Sequence, residues 1–233
     1  MKKIFALLLA LAMLLSLSAC GGSAAKEPQQ PEATEPAAEP ASEPAENGAE
    51  EDEPILGVYD EAAYVYTNEF AGLACQLDES WTVLDQAQIA EVMGLASELV
   101  TDEDAKNVLE NSGAVHPFYA FTDEGLVTLN MGIENLGLLY GVLLDEKTYA
   151  EKGAEQLAPA LESMGMSDVS TEITTISFAG GEHTAIRVYG LFQGVDFYET
   201  LVCVKVKSYI ATITAGSYLE DVTGDVLAMF YSL

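Results

Sequence analysis

The sequence predicts an α+β domain, a layered α/β/α sandwich around a mainly antiparallel sheet, preceded by a signal peptide and a disordered linker. Three features carry this prediction: an apolar leader, a long stretch without large apolar residues, and four β-rich runs in the last third of the chain. Helical patterns that interrupt antiparallel hairpins favour a layered α+β fold over a parallel nucleotide-binding sheet. We therefore expect a signal peptide at 1–19, a linker segment at 20–53 and a single α+β domain at 54–233.

The leader has the composition of a secretory signal. Lys2 and Lys3 precede an apolar run of about 14 residues that ends at Leu17. A membrane-spanning helix needs roughly 20 apolar residues, and two glycines follow this shorter run. The leader is therefore expected to direct export without remaining as a transmembrane anchor.

The end of the leader, Leu17-Ser18-Ala19-Cys20, resembles the lipobox of bacterial lipoproteins. In that family the cysteine is diacylated and becomes the mature N-terminus, so the resemblance implies a lipid on Cys20. Two acyl chains suffice for stable anchoring, which predicts a location on the extracytoplasmic face of the cell membrane. The alternative is an ordinary secretory leader that happens to end in cysteine.

The segment from Gly21 to Glu53 contains no Val, Ile, Leu, Phe, Trp or Tyr. Because it has almost no apolar surface to bury, ordering would not offset the entropy lost, and we expect disorder. Ten acidic residues against the single Lys26, together with repeated prolines, favour an extended tether. A spacer is the simpler interpretation, and a partner-binding acidic tail is the alternative.

The folded segment carries 28 acidic and six basic residues, a net charge of -22. Such a field repels nucleic acids and anionic lipid headgroups and attracts cations and basic proteins. We therefore predict that the protein does not bind nucleic acid. Export would permit Cys75 and Cys203 to pair, but their strand patterns place them on faces that need not meet, so two free thiols are favoured over a disulfide.

Local patterns in the first half of the domain predict a hairpin, two short helices and a second hairpin. A capping pattern, Thr101-x-x-Asp104, marks the start of the second helix. The acidic residues at that start are expected to stabilise the helix N-terminus, because they do not have the spacing of a calcium loop. The ranges are 64–68 and 73–77 for a hairpin closed by Trp81, 85–97 and 101–111 for the helices, and 116–122 and 126–134 for the second hairpin.

The second half predicts a helix, a four-stranded antiparallel meander and a closing helix. Asp145 caps the first of these helices and Gly165 ends it, whereas the apolar residues 137–144 have no assignment. The strands are expected at 169–178, 182–192, 195–206 and 209–215. The closing helix is expected over 217–231, with an apolar stripe made of Leu219, Val222, Val226, Leu227 and Phe230.

The order of these elements resembles PsbP-like α/β/α sandwich domains, in particular their small bacterial lipoprotein relatives. The residues that carry the resemblance are NEFAGLACQLDESW at 68–81, GGEHTAIRVYG at 180–190 and YIATIT at 209–214, followed by a terminal helix. Known roles in that group are binding roles, so the resemblance implies a binding module. No functional residue carries over, because no motif matches position by position.

The sequence contains no recognisable catalytic, metal or nucleotide motif in the domain. The serine motif G-x-S-x-G, the zinc motif H-E-x-x-H and the phosphate-binding glycine loops are all missing. His116 and His183 each stand alone without a second ligand at metal-binding spacing. We therefore predict no enzyme activity, no cofactor and no metal site.

Aromatic residues crowd the hairpin around Gly194. If exposed, they would form a platform for a ligand or partner, made of Tyr189, Phe192, Phe197 and Tyr198. Cross-strand packing explains the same residues more simply. Lys205, Lys207 and Arg187 are expected in ion pairs, with an anion site as the alternative.

The favoured hypothesis is a non-catalytic binding or scaffolding module, tethered by lipid in the cell envelope, whose partner is an unknown envelope protein or small ligand. One alternative is an envelope hydrolase that uses carboxylates from separate strands. The other is a low-affinity cation-binding domain that uses the acidic surface.

Overall fold

The computed structural model describes residues 54–94, 101–111, 113–122, 125–137, 141 and 143–233. The leader, Cys20 and the linker lie outside these residues, as do the last part of the predicted helix 85–97 and part of the second hairpin turn. The described residues form a mixed α/β fold that is mostly strand, in two antiparallel sheets. No helix among them is long and apolar enough to cross a bilayer.

The small sheet has the strand order β1-β2-β3-β11, and the large sheet has the order β4-β5-β6-β10-β9-β8-β7. The strands are β1 Val58–Asp60, β2 Val65–Asn68, β3 Leu73–Gln76, β4 Trp81–Val83, β5 Ala114–Thr122, β6 Val127–Asn135, β7 Met166–Phe178, β8 Gly181–Phe192, β9 Val195–Val206, β10 Tyr209–Tyr218 and β11 Phe230–Ser232. The helices are α1 Gln86–Val92, α2 Asp102–Glu110, α3 Glu146–Ser163 and α4 Thr223–Leu227.

Both predicted hairpins and the four-stranded meander are confirmed, as β2–β3, β5–β6 and β7 to β10. The predicted helix starts are also confirmed. The Asp85 carboxylate accepts a hydrogen bond from the Gln88 backbone N–H at 2.8 Å, and Asp145 does the same for Thr148 at 2.8 Å. Thr101 and Asp104 form the predicted capping box. These caps fix where each helix begins because they satisfy backbone donors that the helix leaves free.

The two faces of the large sheet are covered differently. One face, here called the small-sheet face, packs against the small sheet, α2 and α4, with Met131 and Ile213 in its buried core. The opposite face, here called the helix face, is covered by α3 over β7, β8 and β9 and by α1 over β5. Leu157 and Leu161 of α3 meet Leu201 of β9 in the second core.

The predicted α/β/α layering is therefore not confirmed. A single central sheet was expected, but the layer on the small-sheet face is mainly a second sheet. Trp81 does not close the first hairpin, because it begins β4 and pairs with Thr122 at the edge of the large sheet. Cys75 and Cys203 are free and buried in separate cores, which confirms the preference for two thiols.

The predicted closing helix over 217–231 is wrong. Strand β10 continues to Tyr218, which pairs with Phe197, and only the five residues of α4 are helical. Leu219, expected in the apolar stripe, has a φ of 72° and is 58% exposed. Phe230 is buried as expected, but in β11, where it pairs with Cys75. The apolar spacing fits a helix, yet pairing with the open edge of β3 determines the final structure.

Candidate functional site

The predicted aromatic platform divides between two faces of the large sheet. Phe192 and Phe197 are 5% and 1% exposed and belong to the core beneath α3. Tyr189 and Tyr198 pair on the opposite face, half-buried, with ring centroids 5.4 Å apart. Strand alternation separates the two pairs, so the four rings do not form one surface.

The helix face carries a group of buried polar side chains between the areas covered by α1 and α3. We call Tyr119, Glu199, Thr214 and Tyr218 the central polar cluster. Their exposed fractions are 1%, 4%, 1% and 6% respectively. The hydroxyls of Tyr119, Thr214 and Tyr218 have no hydrogen-bond partner among the described residues. Because buried polar groups in folded proteins are normally paired, this cluster requires a physical explanation.

The members of the cluster are spread over several strands of the large sheet. Tyr119 on β5 aligns through Asn130 and Thr214 with Leu201 on β9, two residues from Glu199. The backbones of Tyr119 and Glu199 are therefore about 16 Å apart at the usual strand and residue spacing. Glu199 pairs with Gly216 on β10, and Gly216 pairs in turn with Thr128 on β6. The space over Gly216 is filled, because a Cβ at this position would meet the Thr128 hydroxyl at 2.9 Å and the Phe197 ring at 3.6 Å.

Burial dominates the electrostatics of the larger cluster members. Burial, followed by the negative charge of Glu199, raises the pKa of Tyr119 and raises that of Tyr218 to about 12. Burial raises the pKa of Glu199 itself to about 8. No hydrogen bond or salt bridge from a described residue reaches this carboxyl. Glu199 is therefore mostly protonated at neutral pH unless a cation joins it.

His116 lies on the same face, beside Gly132 and one row from the cluster. It is buried, its Nδ1 has no partner among the described residues, and burial lowers its pKa to about 4. A neutral imidazole in this position can accept or donate one hydrogen bond. The sequence predicts His116 to be an isolated residue, and the structure places it at the margin of a polar region.

His183 and Lys205 hold the start of α3 on the sheet. Glu146 Oε1 lies 2.9 Å from His183 Nδ1 and accepts the Lys205 backbone N–H at 2.9 Å. Its Oε2 accepts the Thr184 backbone N–H at 3.2 Å. The Lys205 ammonium donates to the Leu144 carbonyl. These contacts give His183 and Lys205 structural roles at the start of α3, and they do not form an anion site.

A second carboxyl with a raised pKa lies far from Glu199. Burial raises the pKa of Glu134, although a hydrogen bond from the Tyr149 hydroxyl at 2.8 Å opposes the shift. Glu134 on β6 pairs with Ile210 on β10, and Ile210 pairs with Lys205 on β9. Lys205 is six residues from Glu199 along β9. At about 3.3 Å per residue, the two carboxyls are roughly 20 Å apart. Hydrolytic carboxyl pairs are separated by roughly 5–10 Å, so these two do not form one.

A cleft of about 390 Å³ lies between the small sheet and the starts of α1 and α2. Three of its polar side chains are engaged: Asp85 and Thr101 cap the helices, and Asp102 accepts the Leu56 backbone N–H at 2.8 Å. This confirms a structural role for the acidic start of α2. Among the described residues, no group of three or more His, Cys, Asp or Glu could hold a metal ion.

Comparisons with known proteins add little to this geometry. No protein-family model and no curated protein sequence matches the chain. Among solved structures it is similar to LpqN, involved in cell envelope biogenesis of Mycobacterium tuberculosis, at 9% sequence identity and a TM-score of 0.35. The match covers 68% of this chain and 82% of LpqN. A likeness at this score carries no argument about fold or function, and the PsbP-like resemblance stays a prediction.

One sequence signal could have located the cluster. On β9 the residues Phe197, Leu201 and Cys203 are in phase and apolar, and Glu199 occupies the same face between them. A carboxyl at an apolar position of a strand is unusual because its burial is costly. The partners Tyr119 and Tyr218 lie on distant segments, and no local pattern connects them to Glu199.

Proposed function

We propose that this protein is an extracytoplasmic lipoprotein, anchored to the cell membrane by lipid on Cys20, whose domain binds a small ligand or an envelope protein without catalysis. The observation that carries the anchoring is Leu17-Ser18-Ala19-Cys20 at the end of a charged and apolar leader. The acidic segment that follows would then act as a tether between membrane and domain.

The domain supports a binding role better than a hydrolytic one. The two carboxyls with raised pKa, Glu199 and the half-buried Glu134, lie too far apart to act together on one bond. The buried polar cluster, in contrast, offers hydrogen-bonding groups that no described residue uses. The net charge of -22 on the folded segment makes nucleic acid an unsuitable partner and favours cationic ones. The PsbP-like resemblance implies binding as well.

Lipid attachment is tested by expressing the full chain with labelled palmitate and measuring its partition into detergent. We expect label in the wild type and a shift to the detergent phase. Cys20→Ser should abolish both. As a matched control, the double variant Cys20→Ser with Ser23→Cys restores a thiol three positions beyond the lipobox and should remain unlabelled.

Incorporation of label into the double variant, or unchanged detergent partition of Cys20→Ser, would overturn the anchoring proposal. The binding role is tested by capture of partners from solubilised envelopes with the intact lipoprotein. Hydrolytic turnover of envelope substrates that is lost on replacing one carboxylate would replace the binding role with the enzymatic alternative.

A further inference from the structure

We propose that the outer edge of β7 binds an extended, positively charged segment of a partner protein, which adds to the large sheet as a further strand antiparallel to β7. This inference rests on the proposed function, because it names the class of partner for a domain expected to bind without catalysis. It depends on the position of β7 at the end of the strand order, where β8 alone pairs with it among the described residues.

The length of β7 distinguishes it from the other edge strands. The two sheets of the described residues have four edge strands, and three of them, β1, β4 and β11, are three residues long. Short edge strands are one of the ways in which proteins prevent unwanted pairing. The fourth edge strand, β7, has 13 residues. It therefore offers a partner strand a template that the other edges do not offer.

The turn between β7 and β8 determines which backbone groups of β7 point outward. This turn consists of Ala179 and Gly180, both with positive φ. In a two-residue hairpin the flanking residues, here Phe178 and Gly181, form a hydrogen-bonded pair, and non-hydrogen-bonded pairs alternate with hydrogen-bonded ones from there. Every second residue of β7 therefore directs its N–H and C=O away from β8. These four outward-facing residues are Thr171, Ile173, Thr175 and Ser177.

The outward-facing backbone groups are available to a partner strand. No turn or loop among the described residues forms a backbone hydrogen bond with them. The register with β8 is continuous from Ser170 to Phe178, so the irregularity near Ser167 leaves this stretch regular. A regular edge with free donors and acceptors at every second residue matches the hydrogen-bonding pattern of an added strand.

The stretch 169–178 also lacks the residues that usually block an edge. It contains no proline and no lysine, and Glu172 is its one charged residue. It consists mainly of β-branched residues, and one of them, Ile173, is 37% exposed. Proteins normally interrupt such edges, because a β-branched edge of low charge pairs readily with other chains. Retention of this edge is explained if a partner strand covers it.

The charges of the edge favour a basic partner. Strand β7 carries two acidic residues, Asp168 and Glu172, and no basic one. The folded segment has a net charge of -22, so it attracts cations and repels anions. A strand with lysine or arginine opposite Glu172 would gain a cross-strand ion pair, whereas an acidic strand would place like charges opposite each other.

A second copy of this chain is a poorer occupant of the edge. Pairing of two β7 strands would bring together two folded segments of net charge -22 and two edges whose charged residues are all acidic. High net charge of one sign opposes self-association. Self-association is therefore measured in the experiment as the competing outcome.

Amide hydrogen exchange, measured by NMR on the full chain purified in detergent, tests whether the edge is free. We expect fast exchange at the four outward-facing residues. We expect slow exchange at the alternate residues Glu172, Thr174 and Ile176, whose N–H groups face β8. This alternation is specific to an edge strand with one partner, because a strand with two neighbours is protected at every residue.

The probe is a synthetic peptide of about eight residues in which lysine alternates with valine, long enough to pair along residues 171–177. We expect saturable binding in calorimetric titration and slower exchange at the four outward-facing amides. One control peptide has glutamate in place of lysine, and a second carries a methyl group on every backbone nitrogen. Both should bind at least tenfold more weakly, the first because of charge repulsion and the second because it cannot donate hydrogen bonds.

Two pairs of variants locate the effect on β7. Thr175→Pro removes one outward-facing N–H and keeps the ladder with β8, so it should weaken the lysine peptide at least tenfold, whereas Thr175→Ala keeps the N–H and should bind almost as the wild type does. Glu172→Lys should weaken the peptide several-fold. Its control, Glu91→Lys, makes the same change in net charge at an exposed position of α1 and should weaken it less. Glu172→Lys changes only an exposed side chain and provides the test if Thr175→Pro disturbs the fold.

Slow exchange of the outward-facing amides in the free protein at low concentration would show that the edge is already covered and would overturn the proposal. Equal binding of the methylated peptide, or no saturable binding at millimolar concentration, would overturn it as well. Dimers in sedimentation, with protection of the same amides without peptide, would replace the basic partner with a second copy.

These outcomes are distinct from failure of the proposed function. Anchoring is measured by palmitate labelling at Cys20 and does not depend on peptide binding. Capture of an envelope partner with equal yield by the wild type and by Thr175→Pro would support the binding role of the domain and overturn the role of the β7 edge.

Discussion

Replacing Glu199 by Gln should make the protein more stable at neutral pH. Glu199 is 4% exposed, and burial raises its pKa from the usual 4.5 to about 8. Because the folded-state pKa is higher, the contribution of this group to stability is fully present below pH 4.5. It is lost as the pH rises towards 8, where the unfolded chain ionises and the folded chain does not. Gln does not titrate and therefore avoids this loss.

The size of the stability change follows from the difference between the pKa values of Glu199 in the unfolded and folded states. Each pKa unit corresponds to about 1.4 kcal/mol, so the loss reaches roughly 3 kcal/mol at pH 7 and roughly 5 kcal/mol above pH 8. The Glu199→Gln variant should gain approximately these amounts relative to the wild type. For a domain of this size, a gain of about 3 kcal/mol raises Tm by roughly 6–12 °C.

The assay is urea unfolding of both proteins between pH 4 and pH 8.5, with the difference in the free energy of unfolding plotted against pH. His116 has the opposite effect on stability, because its pKa of about 4 makes the fold more stable as pH rises from 4 to 6.5. Both proteins contain His116, so its contribution cancels when the two free energies of unfolding are subtracted. The variant Glu172→Gln removes an exposed carboxyl and serves as the matched control. A difference for Glu199→Gln that does not change with pH would refute the assignment of a buried, unpaired carboxyl.

Two further predictions concern the hairpin and the start of α3, and both are measured by urea unfolding. Phe197→Ala should lower the free energy of unfolding by about 3–5 kcal/mol because it empties core space. Tyr189→Ala, on the other face, should change the free energy of unfolding little. Similar losses in both variants would contradict the division of the aromatic residues between two faces. Glu146→Gln should cost about 1–3 kcal/mol, because one amide oxygen cannot replace two carboxylate oxygens that accept backbone N–H groups. Its control, Glu151→Gln, removes an exposed pair and should cost less than about 0.5 kcal/mol; equal costs would show that Glu146 does not fix the helix.

Elements specified by neighbouring residues could be predicted from the sequence. The meander is defined by runs of alternating or β-branched residues and by two-residue turns such as Gln193-Gly194, where both residues have positive φ. The helix starts are defined by caps such as Asp145, which act within four residues. In these cases the stabilising contact and the sequence pattern lie in the same segment, so the pattern is sufficient.

Elements specified by distant pairing could not be predicted in this way. Strand β11 exists because Phe230 and its neighbours complete the edge of β3, more than 150 residues earlier in the chain. The apolar stripe of the predicted closing helix has helical spacing, but only Val226 and Leu227 of that stripe lie within α4. The second sheet was missed for the same reason: β1 is three residues long and is recognisable only through its pairing with β2.

The unpaired state of Glu199 is itself an argument for function. If this position served packing alone, Gln would fill the same volume without the loss of about 3 kcal/mol at pH 7 that the carboxyl causes. The chain does place lysine on this face of β9, at Lys205, but that ammonium holds the start of α3 and not the carboxyl. Residues that reduce stability without a structural return are concentrated at functional sites, because binding often needs groups that the fold does not satisfy. Increased stability of the Glu199→Gln variant at pH 7 would support this argument, and unchanged stability would remove it.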